Sequence, residues 1–245
     1  MRWKGICAYD GTDLRGWQSQ PGGNTVQDFL EMRLEKIFGK KIRIHGSGRT
    51  DAGVHAKRQV FHFDGDWKHE ELKLLNALRT GIPKSIQIVS LKKVANDFHA
   101  RYGVKSKRYV YYIYEGYVLP TQSRYYWSIG PYKLDIEAMQ KAAKLLKGKH
   151  DFSAFSATTR SGTGGDPIKE ILRLDVVKKG RYIKIITEGS GYLYKMVRSI
   201  VGALADVGMK KLSYEDLEEI LKRRRRTHKV VTVPAKGLFL EKVFY

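Results

Sequence analysis

The chain has 245 residues, enough for two modest lobes or one large domain with a real core. Hydrophobic residues make up 42%, an ordinary globular composition, and the single cysteine, Cys7, excludes an internal disulfide or a thiolate zinc cluster. The net charge of +21 points to a polyanionic partner. Residues 1–105 hold 19 Lys and Arg against 11 Asp and Glu (+8), and the remainder 27 against 14 (+13), so the charge covers the body and is not a tail. No apolar stretch is long enough to span a membrane; the longest, Met196 to Leu204, is interrupted by Arg198, Ser199 and Gly202. The opening Met-Arg-Trp-Lys-Gly leads directly into strand-like sequence, so a cytoplasmic protein without a signal peptide is expected.

Lys4 to Tyr9 reads as a strand ending in the turn Asp10-Gly11, followed by a Gly/Pro-rich loop through Trp17 and Pro21. Thr25 with Asp28 three residues later marks a helix start. Val26, Phe29, Leu30, Leu34 and Ile37 continue at helical spacing, and Gly39 stops it. Ile42–Ile44 and Val60–Phe63 are expected strands flanking the loop Gly46–Ala56. A helix over Glu70–Leu78 and a strand over Ile86–Val94 complete the first half. In the second half, Tyr109–Tyr114 reads as a tyrosine-rich strand, and Ile136, Met139, Ala142, Ala143 and Leu146 as a helix closed by Gly148. Strands near Ile171–Val177 and Tyr182–Thr187, helices over Tyr192–Val207 and Ser213–Arg225, and a strand over Leu238–Phe244 follow. The pattern suggests an α+β protein of two related halves, 1–105 and 106–245. Ala157–Pro167, rich in Thr, Ser and Gly, is a mobile-loop candidate.

Chemistry concentrates in Gly46-Ser-Gly-Arg-Thr-Asp-Ala-Gly53-Val-His-Ala, which combines three glycines, Arg49 and Asp51. Glycine admits close backbone approach, Arg49 offers five donors, and Asp51 is a possible nucleophile or base. A turn whose Asp caps its own backbone fits the same residues equally well. The run lacks the Gly-Lys-Ser/Thr of a P-loop, and a strand rather than a helix follows, so it is a poor dinucleotide fingerprint.

Six motifs in order carry a resemblance. They are Tyr9-Asp-Gly-Thr…Gly16-Trp-Gln-Ser-Gln with Thr25-Val-Gln; Gly48-Arg-Thr-Asp-Ala-Gly-Val-His-Ala; Phe98-His-Ala-Arg with Arg108-Tyr109; His150-Asp-Phe; Met196-Val-Arg-Ser-Ile-Val-Gly; and Pro234-Ala-Lys-Gly-Leu. Together they resemble, nearly end to end, the TruA family of tRNA pseudouridine synthases. Arg58 departs from that family's usual glycine, and Lys169 stands near where an arginine usually follows the loop from Ala157.

The resemblance implies two halves, each a mostly antiparallel sheet with helices on one face and a central cleft between them. It implies an isomerase that converts uridines 38, 39 and 40 of the tRNA anticodon stem-loop to pseudouridine, as a homodimer. No cofactor or metal is expected. Asp51 takes the position of the nucleophile, Arg198 of its ion-pair partner, and Tyr109 of the residue that stacks on the base or relays a proton. Arg49, Arg101 and Leu238 match substrate-binding positions: Arg49 filling the space of the flipped nucleotide, Arg101 holding phosphate, and Leu238 packing near the base.

On sequence alone, Arg198 could also be a surface arginine of an amphipathic helix, Tyr109 one of several strand tyrosines, and Leu238 an ordinary core leucine. One carboxylate suits attack at C1′, addition to the base, or elimination through a glycal. Lys222-Arg-Arg-Arg-Arg226 suggests an RNA clamp, yet Ser213 with Asp216 resembles a capping box, and acids lead while bases trail, as the helix dipole favours. His69-Glu-Glu-Leu-Lys lacks the second histidine of a zinc helix. A binding-only RNA protein and a nucleoside or carbohydrate hydrolase are the competing readings. Intact Asp51, Arg198 and Tyr109 argue against the first, and the want of a second catalytic carboxylate argues against the other.

Overall fold

The computed structural model describes residues 1–157 and 165–245, so the loop candidate Ala157–Pro167 lies largely outside the described residues. In chain order the elements are β1 (Arg2–Tyr9), α1 (Val26–Phe38), β2 (His45–Gly46), β3 (His55–Asp64), α2 (Glu71–Arg79) and β4 (Ile86–Val94). Then come β5 (Ser106–Tyr114), β6 (Trp127–Ser128), α3 (Ile136–Leu146), β7 (Gly148–Asp151), β8 (Ile168–Lys179) and β9 (Tyr182–Gly189). The last are α4 (Met196–Gly208), α5 (Tyr214–Arg223) and β10 (Leu238–Phe244). The chain is thus α+β, with mostly antiparallel strand pairing. It forms two compact units: Met1–Lys105 with Phe239–Tyr245, and Ser106–Leu238. The final seven residues therefore return to the first unit. Among the described residues no helix is long and apolar enough to cross a membrane.

In the first unit the strands run β4-β1-β3-β10, with β2 pairing β3. β10 pairs β3 in parallel through Phe239↔His55 and Leu240↔Ala56. β1 alternates as a half-buried strand should, burying Trp3, Gly5, Cys7 and Tyr9. Gly5 lies opposite Phe61, whose ring would collide with any Cβ there. That leaves Phe61 and Phe63 to stack at 6.3 Å and to meet Trp17 and Phe38 of α1. α1 opens on the Thr25–Asp28 capping box and closes on Gly39 at φ 68°, as its sequence signals require.

In the second unit the order is β5-β9-β8-β7, with β6 beside β5. α3 begins on Asp135, which accepts from the Ala138 N–H at 3.0 Å, and packs on β8 and α4. A side chain at Gly208 would meet the Met139 sulfur at 2.8 Å, so this glycine sets the closeness of α4 to α3. α5 has the expected Ser213–Asp216 capping box.

Two expectations shift. Ile42–Ile44 is irregular backbone, and the strand falls at His45–Gly46. Buried Ile42 and Ile44 gave an apolar signal that reflects core packing and not strand pairing. The helix expected from Tyr192 starts at Met196, because Lys195 adopts φ 58° and breaks the helical path.

Candidate active site

The loop between β2 and β3 carries Asp51, and its backbone is fixed on several sides. At its start Ser47 N–H donates to the Val60 carbonyl (2.8 Å), Ser47 Oγ to Gln59 Oε1 (2.6 Å), and Gln59 Nε2 to the Gly48 carbonyl (2.9 Å). Both polar side chains are fully buried, so these bonds satisfy groups that would otherwise cost stability. Past Gly48 the loop lies against the segment that follows β1. Trp17 N–H donates to the Thr50 carbonyl at 3.1 Å, and Tyr9 Oη lies 2.8 Å from Thr50 Oγ1 in a buried pair.

Two glycines make that approach possible. A Cβ at Gly16, which sits at φ 83°, would run into the Thr50 carbonyl oxygen, and one at Gly11 into that of Val54. Gly11 N–H donates to His55 Nδ1 at 3.1 Å, tying the far end of the loop to the same segment. His55 in turn stacks on Phe239 of β10 at 4.5 Å. The outcome is a half-buried Asp51 on an immobilised backbone, one residue beyond Thr50.

Arg49 shares this loop, is exposed, and donates through Nε to Gln18 Oε1 at 3.3 Å. Arg58, the departure from the family pattern, is exposed on β3. Arg101, also exposed, lies in the same unit on the turn between β4 and β5.

Tyr109, Arg198 and Leu238 belong to the second unit. Arg198 occupies the first turn of α4 among buried Met196, Val197, Ser199 and Ile200, and is itself half-buried. Its Nε donates to the Val233 carbonyl at 2.8 Å, while the Tyr111 hydroxyl donates to the next carbonyl, Pro234, at 2.7 Å. The reading of Arg198 as a plain surface arginine fails on this burial and bonding. Burial pushes the Tyr111 hydroxyl up, against the pull of the Arg198 charge, so Tyr111 stays a neutral donor.

Tyr109 is 8% exposed on β5 and meets Tyr192 edge to face at 5.3 Å. The Tyr192 hydroxyl lies 2.9 Å from Thr187 Oγ1, which holds that ring in place. Leu238 is buried directly after Gly237, where a side chain would strike the Tyr111 ring. Among the described residues no group of three or more His, Cys, Asp or Glu is arranged to hold a metal ion.

The basic run at the end of α5 is mostly accounted for locally. Lys222 and Arg223 pair with Glu218 (3.1 Å) and Glu219 (2.6 Å) one turn earlier. Arg226 turns inward to donate to the carbonyls of Phe155 and Val230 and to Ser199 Oγ and Thr232 Oγ1.

The sequence reading missed Tyr9, Gly11, Gly16, Trp17 and Gln59 as the frame of the Asp51 loop. The first four stood inside a recognised motif, but nothing in the linear order said what they touch.

A family model described as tRNA pseudouridine synthase matches residues 6–103 and 142–245. The chain therefore belongs to the tRNA pseudouridine synthase family, whose members are isomerases. Among its relatives is a tRNA pseudouridine synthase A from a Thermoanaerobacter strain, 42% identical over 241 residues and covering 98% of each chain. One of the same name from Oceanobacillus iheyensis is 40% identical over 245 residues, spanning 100% of this chain and 96% of the relative. Another from Streptococcus pneumoniae is 38% identical over 248 residues, spanning 100% and 98%.

Proposed function

We propose that this chain converts uridines 38, 39 and 40 of the tRNA anticodon stem-loop to pseudouridine, with Asp51 as the nucleophile. Arg198 serves as its ion-pair partner and Tyr109 as the ring that stacks on the uracil or relays a proton. Arg49 takes the place of the flipped nucleotide in the RNA, Arg101 binds phosphate, and Leu238 packs against the base. The working form is a homodimer in the cytoplasm.

The reaction breaks N1–C1′, turns the uracil and forms C5–C1′. The proton on C5 is lost and one is gained at N1, so neither oxidant nor phosphate energy enters. What is needed is a carboxylate held in place before the substrate arrives, since positioning and pre-set electrostatics supply most of the acceleration. The observation that carries this reading is the framing of the Asp51 loop by Tyr9, Gly16, Trp17 and Gln59 in a member of the family.

The test is to incubate wild type and Asp51→Ala with unmodified tRNA and map pseudouridine. Wild type should modify positions 38–40, and Asp51→Ala should give no product while still binding tRNA, because phosphate contacts supply most of the affinity. Product elsewhere would overturn the positions, and product from Asp51→Ala would overturn the nucleophile. Sedimentation velocity showing a monomer at working concentration would overturn the dimer.

A further inference from the structure

The turn that carries Arg101 is built with unusual completeness. Phe98 N–H donates to the Ala95 carbonyl (3.1 Å), and Gly103 N–H to that of His99 (3.2 Å). Arg2 Nη1 donates to the Phe98 carbonyl (3.0 Å), and the Tyr245 hydroxyl to that of Ala100 (2.8 Å). Two imidazoles serve as acceptors: His62 Nδ1 takes the Ala100 N–H at 3.1 Å, and His99 Nδ1 takes those of Arg101 and Tyr102 at 3.1 and 3.2 Å.

Ala100 is wholly buried at the centre of this turn, whereas Tyr102 is 78% exposed. One face of the Tyr102 ring rests on His99, with centroids 4.2 Å apart and planes 27° from parallel. The Arg101 guanidinium lies 5.8 Å from the ring centre. A rigid turn thus holds out an aromatic ring with His99 stacked against it and the Arg101 guanidinium over it.

We propose that Tyr102 is a nucleotide-stacking residue of the RNA-binding surface, its ring taking an unpaired base of the tRNA while Arg101 takes the adjoining phosphate. A large ring held in water on a turn fixed by these bonds is already oriented for stacking, and a nucleobase is the flat apolar surface that suits it. The guanidinium supplies the matching charge-assisted contact to phosphate. The +21 charge of the chain makes a polyanion the occupant that this surface attracts. The inference rests on tRNA being the substrate and on Arg101 as a phosphate contact.

The experiment measures tRNA affinity across a salt series, together with single-turnover pseudouridine formation at saturating enzyme, for wild type, Tyr102→Phe, Tyr102→Ala and Arg101→Ala. Melting temperature and sedimentation are recorded for each. Tyr102→Ala should bind about tenfold more weakly with an unchanged salt slope, and Tyr102→Phe should stay within about twofold of wild type. Arg101→Ala should lower the salt slope by about one. Wild-type affinity for Tyr102→Ala would overturn the proposal, as would a Phe variant as weak as Ala. A changed sedimentation coefficient for Tyr102→Ala would place the ring in a protein contact and overturn it too. Wild type that binds tRNA but makes no pseudouridine would sink the proposed reaction while leaving the Tyr102 contact standing.

Discussion

The hydroxyl of Tyr9, at the end of β1, lies 2.8 Å from Thr50 Oγ1 in a buried pair, one residue before Asp51. A strand end thereby sets the height of the loop that presents the carboxylate. Tyr9→Phe removes the partner and leaves a buried hydroxyl unsatisfied, at a cost of about 1–2 kcal/mol. The expected result is about a tenfold lower single-turnover rate, with tRNA affinity within twofold of wild type. A wild-type rate would show that the bond does not place Asp51.

Gly16 and Gly39 form a matched pair. Both have positive φ, 83° and 68°, but a Cβ at Gly16 collides with the Thr50 carbonyl and one at Gly39 meets nothing within 4 Å. Gly39→Ala should cost about 1 kcal/mol of backbone strain and leave turnover intact. Gly16→Ala adds a steric clash, so denaturant unfolding should show a loss of about 2–4 kcal/mol together with a fall in activity. Equal losses in the two variants would refute the close-approach argument.

Stability should depend on His62 in mildly acidic solution. Burial pushes this imidazole down to about 4; the nearby positive groups His99, His45 and Arg2 add to the effect, and Asp64 opposes it. His99 is lowered for the same kinds of reason, burial first and then His45, Arg2 and Arg101. The unfolded chain binds the proton at the ordinary value near 6.5. Stability is therefore fully present above that pH and is lost as pH falls from 6.5 towards 4, by up to about 3 kcal/mol from His62. His62→Asn, whose amide oxygen can accept the Ala100 N–H, should flatten the slope between pH 6.5 and 5. Urea titrations at several pH values check this, and parallel wild-type and variant slopes would reject it.

Arg226 and Arg223 differ despite sitting in one basic run. Arg226 donates to four groups in the second unit, two of them carbonyls. Arg226→Ala takes this donor from the Phe155 and Val230 carbonyls, while Ser199 Oγ and Thr232 Oγ1 keep each other at 3.2 Å, and should cost about 2–4 kcal/mol. Arg223 is exposed and bonds only Glu219 among the described residues, so its alanine variant should change stability by about 0.5 kcal/mol or less. Comparable losses for both would mean that the run acts as one unit.

Local signals were legible wherever a short-range rule decides the structure. The Thr25 and Ser213 capping boxes and the Gly39 stop each rest on residues a few positions apart, and each appears as read. The candidate site was legible only as a roster, because its support is long-range. Tyr9 to Thr50, Ser47 to Gln59 and Arg198 to Val233 are contacts that periodicity and turn chemistry do not encode. The basic run stayed open between a clamp and helix chemistry for the opposite reason. Charge counts as exposed in a sequence, and only packing reveals that Arg226 faces inward. Ile42 and Ile44 likewise read as a strand because burial and strand pairing leave the same apolar mark.

The single cysteine gains a use from where it sits. Cys7 is fully buried on β1, which is flanked on both sides by β3 and β4, and burial pushes its thiol well above the ordinary range. A thiol-reactive dye can reach it only when that strand separates from its neighbours, so the labelling rate reports the opening of the first unit as a whole. The protein thus carries its own clock for unfolding, and tRNA added to the same reaction should slow that clock in proportion to how tightly it holds the folded chain.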